Sequence, residues 1–184
     1  MLRARTSKGH VYARIYCRKP SLAAAIFKGL GGDVNKEKKD GYYQRGSDVV
    51  TWSLGHLLAL YDPEDYNAEH KRWTLDSLPL NTVYPPKMKP IAKSKKQLNV
   101  VLDWIKKADS IVHAGDPDPE GCLLIDEILT YANNTKPVQR LLIADLNDKP
   151  VKAALANLQP NEKFQPLTQK AWHARLLTKR LVIT

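Results

Sequence analysis

The chain is short of cysteine, of acids and of long apolar runs. Its two cysteines, Cys17 and Cys122, are far apart and form no C-x-x-C pair. In a chain of cytosolic character such thiols read as buried side chains, not as a disulfide or a zinc site. No apolar stretch approaches the roughly 18 residues that a membrane span requires. The opening MLRARTSKGHVYARIYC is basic but has no uninterrupted apolar core, so neither a signal peptide nor a membrane partner is expected, and the setting is cytoplasmic. There is no G-x-x-x-x-G-K-[ST]. The glycines 29, 31 and 32 follow no strand directly and read as the end of a helix, so no small-molecule cofactor is implied. Acids number 19 against 29 Lys plus Arg, a net charge of +10. That excess points to a polyanion, most simply nucleic acid; charge that serves solubility alone is the alternative.

What is present is organised around Ser110 to Leu129, SIVHAGDPDPEGCLLIDEIL. A short apolar run crosses Gly115 into acids at alternate positions, Asp116, Asp118 and Glu120, and an apolar pattern at helical spacing follows from Leu123. This reads as strand, acidic turn, helix, with Pro117 and Pro119 suited to a turn and a helix start. Acids at the carboxyl end of a buried strand stand where open α/β sheets place ligands. Their mutual repulsion would be relieved by a hard cation such as Mg²⁺. A solvated acidic loop that caps a helix is the alternative.

Along the chain, Val11 to Cys17 reads as a strand, and Ser21 as the N-cap of a helix over LAAAIFKGL. Gly41 to Gly46 and Asp48 to Leu54 read as two short paired strands. His56, after Gly55, can orient an acid or meet a phosphate, or only satisfy a carbonyl. Lys71-Arg72-Trp73 sets cations beside an aromatic, which can follow a single nucleic-acid strand or only pin a loop. Lys87, Lys89, Lys93, Lys95 and Lys96 lead into a helix with Leu98, Val101, Leu102 and Ile105 on its apolar face. Val138 to Ile143 reads as a strand, Asn147 or Asp148 as the cap of the next helix, and Gln159 to Pro166 as a linker. The alternation of helix and strand from 97 to 158 implies a parallel βαβ unit.

The ordered set Lys19-Pro20-Ser21-Leu22, Val50-Thr51-Trp52, Gly55-His56-Leu57-Leu58, Arg72-Trp73, Lys96-Gln97-Leu98-Asn99-Val100, His113 to Asp118 with Glu120-Gly121, and Asp126-Glu127 resembles the TOPRIM domain of bacterial type IA DNA topoisomerases of the topoisomerase III kind. The likeness covers roughly Arg14 to Leu167. It implies an α/β fold: a Rossmann-like parallel sheet flanked by helices, with a small antiparallel strand pair inserted. The resemblance further implies magnesium-assisted breakage and rejoining of single-stranded DNA in the full-length family, carried by a tyrosine in a later domain. Asp116, Asp118 and Glu120 would hold Mg²⁺, Lys19 and Glu120 would be catalytic, and Lys19 and Trp73 would contact DNA. The expected organisation is a basic arm at 1–10, the TOPRIM domain at 11–167 and a tail at 168–184 that resembles the start of the next domain.

Three departures bear on activity. The family has Glu immediately before the Lys-Pro-Ser, where this chain has Arg18. A guanidinium near Mg²⁺ repels it and weakens its binding. The Arg of Asp-Pro-Asp-Arg-Glu-Gly is Pro119 here, which removes a possible phosphate contact. After Ala171-Trp172-His173-Ala174-Arg175 the pattern is lost, and the eight tyrosines all lie within the TOPRIM region, none in the nucleophile's context. Deviation at both ends with a preserved middle is the expectation for a truncated or frame-disrupted product, inactive alone for lack of a nucleophile. The alternative is a non-catalytic single-strand-binding or interaction module. A primase or nuclease of the same fold would share the acids, but not the Gly55–Leu58 and Arg72–Trp73 pieces.

Overall fold

A computed structural model describes residues 13–72 and 87–181. Strand β1 (Ala13–Cys17) lies in the middle of a seven-stranded sheet. Helix α1 (Pro20–Gly29) leads through the short β2 (Lys38–Lys39) to β3 (Tyr42–Arg45) and β4 (Asp48–Trp52). The expected pairing of these last two strands is present, antiparallel, and β4 also runs parallel to β1. They therefore extend the main sheet. The separate antiparallel pair is β5 (Leu58–Leu60) with β6 (Met88–Pro90), flanked by the short helix α2 (Pro63–Tyr66). Helix α3 (Lys95–Lys107) buries Leu98, Val101 and Ile105 as its spacing predicts. Then come β7 (Ser110–Ala114), α4 (Pro119–Tyr131), β8 (Val138–Arg140), α5 (Asp148–Leu155), β9 (Gln159–Pro160) and α6 (Gln165–Leu181).

The sheet order is β2-β3-β4-β1-β7-β8-β9, with β4, β1, β7 and β8 mutually parallel. Two apolar clusters cover its faces. One gathers Ile15, Phe27, Val50 and Val112 under α1 and α5, the other Tyr16, Leu98, Ile111 and Ile128 under α3 and α4. The chain leaves β1 toward β4 on one side and leaves β7 toward β8 on the other. This reversal opens a crevice beyond the carboxyl ends of β1 and β7, the usual ligand position in such sheets.

Three local expectations are corrected. Ser21 does not cap α1: the helix begins two residues earlier than expected, at Pro20 after the N-cap Lys19, because proline is preset for the first helical position. The strand expected to Ile143 ends at Arg140. The Leu141 amide still reaches the His113 carbonyl (3.0 Å), but past Ala114 β7 has turned away and no ladder partner remains. Gln159 to Pro166 is not a linker, since Gln159 and Pro160 pair with β8 and Gln165 already opens α6. That helix runs unbroken across the expected boundary at 167/168, and Thr168 and Ala171 are buried. Among the described residues no helix is long and apolar enough to cross a membrane. The basic arm and Trp73 lie outside the described residues.

Candidate functional site

The parallel register sets Cys17 beside Ala114. The next residues of both strands, Arg18 and the turn Gly115–Asp118, therefore emerge side by side at the crevice. Arg18 Nη1 donates to Asp116 Oδ2 at 2.6 Å and lies 3.9 Å from Asp118 Oδ2. Asp118 is also the N-cap of α4, and its Oδ1 accepts the Gly121 amide at 2.6 Å. The capping alternative is thus realised by one of the three acids. Gly121 is required by close approach: a Cβ there would stand 2.6 Å from the Asp116 carbonyl oxygen and 2.8 Å from its nitrogen. The turn and the first turn of α4 touch backbone to backbone.

Glu120, in the first turn of α4, meets His56 Nε2 at 3.1 Å. The other ring nitrogen, Nδ1, lies 2.9 Å from Oε1 of Glu127, a fully buried carboxylate. Oε2 of Glu127 accepts from Arg175 of α6, whose Nη2 also donates to the Leu58 carbonyl at 2.9 Å. Of the readings open for His56, the structure therefore has it orienting acids. A cleft of about 900 Å³ is bordered by Arg18, His56, Asp118, Glu120 and Arg175, with Leu58, Leu60 and Leu123 on its apolar wall.

Behind the turn lies Arg140, fully buried at the end of β8. Its Nη2 donates to the Asp116 carbonyl (2.9 Å) and contacts Cys122 Sγ (3.0 Å), its Nη1 stands 2.8 Å from His113 Nε2, and its plane lies over Phe164. The Gly115 amide approaches His113 Nδ1 from the other side at 3.1 Å. A neutral imidazole accepts one of these donors and a doubly protonated ring neither. Burial first, and then the charge of Arg140, hold the His113 pKa down to about 3. Asp126 stands 3.5 Å from the same ring and accepts from Thr168 of α6, and burial raises its pKa.

The structure thus brings Asp116, Asp118 and Glu120 to one crevice, with exposed Lys19 at the start of α1 just beyond Arg18. The expected ligand set is nevertheless engaged by three different partners: Asp116 by Arg18, Asp118 by its cap, Glu120 by His56. Among the described residues no group of three or more His, Cys, Asp or Glu side chains converges to hold a metal ion. With a guanidinium seated against two of the acids, the residues present do not fit Mg²⁺ as the family resemblance implies it. The sequence offers no role for Arg140, Glu127 or Arg175. One signal was available: Asp126-Glu127 interrupts the apolar face of a helix between Ile125 and Ile128, where a carboxylate must find buried partners.

A family model described as the Toprim domain matches residues 17–146. The chain is 44% identical over 160 residues to DNA topoisomerase 3 of Haemophilus influenzae, covering 83% of this chain and 24% of that protein. It is 38% identical over 166 residues to DNA topoisomerase 3 of Staphylococcus saprophyticus, covering 88% and 22%. It therefore spans about a quarter of the length of the curated relatives it matches. Full-length topoisomerase I of Thermotoga maritima superposes with a TM-score of 0.54 at 19% identity, over 82% of this chain and 22% of that one, a likeness of fold.

Proposed function

This chain belongs to the Toprim domain family, and on that premise we propose that it serves as the Toprim portion of a type IA topoisomerase of the topoisomerase III kind, holding single-stranded DNA phosphate at the crevice between β1 and β7. One observation carries the reading: the acidic turn, Arg18 and His56 border a single cleft at the strand ends, in a chain that aligns over 160 residues with a DNA topoisomerase 3. Lys19, exposed at the N-cap of α1, meets the phosphate, aided by the partial positive charge of the helix start. Glu120, held by His56, is the acid nearest to proton-transfer duty. Trp73 stacks on a base of the bound strand. Residues 11–167 with the docked α6 act as one unit, in a bacterial cytoplasmic setting.

Mg²⁺ is the cofactor that the resemblance attaches to Asp116, Asp118 and Glu120, which here are engaged by Arg18, the α4 cap and His56. Breaking and rejoining a strand needs an activated nucleophile. Tyr16 cannot supply one, because it is buried and burial raises its phenol pKa further. None of the other seven tyrosines stands in the sequence context of the family's nucleophile either, so the purified chain is expected to leave supercoiled DNA unrelaxed. The second reading, a non-catalytic single-strand-binding module, is favoured by the Arg18–Asp116 pair, which neutralises the turn from within.

The test is fluorescence anisotropy with a labelled single-stranded oligonucleotide across a salt series. Binding is expected, with log K falling linearly against log salt at about −0.7 per phosphate neutralised. Lys19→Ala should weaken it by about tenfold, in line with one charge-assisted phosphate contact. Salt-independent binding, or an unchanged affinity in Lys19→Ala, would overturn the assignment of phosphate to this crevice.

A further inference from the structure

We propose that in this chain the Arg18 guanidinium takes the place of a divalent cation at the acidic turn, so that the crevice meets phosphate without metal. The inference deepens the reading above and rests on it only for the phosphate half. The sheet fixes Arg18 beside the turn, since Cys17 and Ala114 are register partners. Its Nη1 reaches Asp116 at 2.6 Å and Asp118 at 3.9 Å. The main chain at Asp116 is fixed, because its carbonyl accepts from buried Arg140, and the carboxylate it carries is held by Arg18. Asp118 cannot turn both oxygens toward a cation, because one holds the Gly121 amide at the start of α4. Glu120 is turned to His56.

A metal ion within reach of both aspartates would sit a few ångströms from the guanidinium. The pair is partly exposed, 28% for Arg18 and 39% for Asp116, so solvent screens it. The repulsion still lowers metal affinity by about tenfold to a hundredfold. Mg²⁺ moreover demands near-octahedral oxygen geometry, which a turn already occupied by a planar cation does not offer. The pairings to both aspartates run through Nη1. A guanidinium carries further N–H donors with which to meet a phosphate oxygen. The acids then serve to orient Arg18, and Arg18 serves as the resident positive charge.

The deciding experiment follows backbone amide signals of Gly115 to Gly121 by heteronuclear NMR while Mn²⁺, a paramagnetic stand-in for Mg²⁺, is added to the full chain, to Arg18→Glu and to Arg18→Gln. The unchanged chain should show no selective broadening of these signals up to about 1 mM. Arg18→Glu, which removes the cation and adds a carboxylate, should broaden them with an apparent affinity about tenfold tighter or more, and Arg18→Gln should fall between. If Arg18→Glu loses signal dispersion because it does not fold, the comparison rests on Arg18→Gln. Selective broadening of the unchanged chain as strong as in the variants would overturn the inference. So would its absence in both folded variants, because Arg18 would then not be what keeps the cation out. A second arm measures oligonucleotide affinity at matched ionic strength with EDTA or with Mg²⁺. Equal affinity within about twofold supports a metal-free site, and a gain of about tenfold with Mg²⁺ contradicts it. Failure to bind the oligonucleotide in either buffer defeats the DNA reading and leaves the Mn²⁺ comparison to decide the role of Arg18.

Discussion

His113 marks the point where the parallel sheet becomes the site. It occupies the middle of β7 with its ring fully buried, and the groups facing it are Arg140 of β8, Asp126 and the Cys122 carbonyl of α4, and the Gly115 amide of the turn. Its folded pKa, near 3, is depressed below the unfolded value of 6.5. The unfolded chain therefore binds a proton that the folded chain refuses between those two values. The stabilisation is complete above about pH 6.5 and is lost as pH falls toward 3, at up to about 1.4 kcal/mol per pH unit. Urea melts at pH 7, 6, 5 and 4 on the parent chain and on His113→Gln check this: the parent's stability should fall on acidification more steeply than the variant's. Parallel curves would mean that other groups set the acid limit. The motif His-Ala-Gly-Asp was legible as a strand end running into an acidic turn. That its histidine is a neutral buried strut was not, because the burial that keeps it neutral is tertiary and the guanidinium that adds to it arrives from Arg140, 27 residues further on.

At the level of elements, the parts with strict periodicity were readable and the parts held by long-range polar contacts were not. Helix α3 buries the face that its spacing predicts, and β7 and α4 flank the acidic turn as expected. Local pattern could not reveal that β9 pairs with β8, since a two-residue strand carries no period, nor that α6 docks on α4. That docking uses two adjacent carboxylates of one helix: Asp126 accepts from Thr168, and Glu127 from Arg175. Arg175 is the partner whose removal is most telling, because it leaves a fully buried carboxylate with His56 alone. Removing one member of a buried pair costs about 3–5 kcal/mol, and the partial exposure of Arg175 puts the expected loss for Arg175→Ala at about 3 kcal/mol or below. Hydrogen exchange should report it as faster exchange along α6 and at the Leu58 end of β5. A loss of global stability with α6 protection unchanged would mean that the helix is held by its apolar contacts instead.

Over the whole molecule the excess of positive charge is the broadest argument for a nucleic-acid partner, and the structure qualifies which lysines supply it. The stretch Lys87 to Lys96 reads in sequence as one basic run. In the fold Lys89 bonds Asp62 at 2.8 Å and also Asp65, pairings that raise its pKa, and Lys96 meets Asp40 at 2.5 Å. These exposed pairs add little to stability, but they set the local charge that a polyanion meets. A lysine already facing two carboxylates releases few counterions when a phosphate approaches, whereas Lys93 just before α3 and Lys95 at its first position stand exposed. The double substitution Lys93→Ala with Lys95→Ala should therefore flatten the salt dependence of single-strand binding by up to about 1.4 in slope, at about 0.7 for each phosphate no longer neutralised, and Lys89→Ala should change it by less. The slopes of log K against log salt for the three proteins settle the matter. If Lys89→Ala flattens the slope as much as the double variant does, net charge alone governs binding and the internal pairing of the basic run has no bearing on where the strand lies.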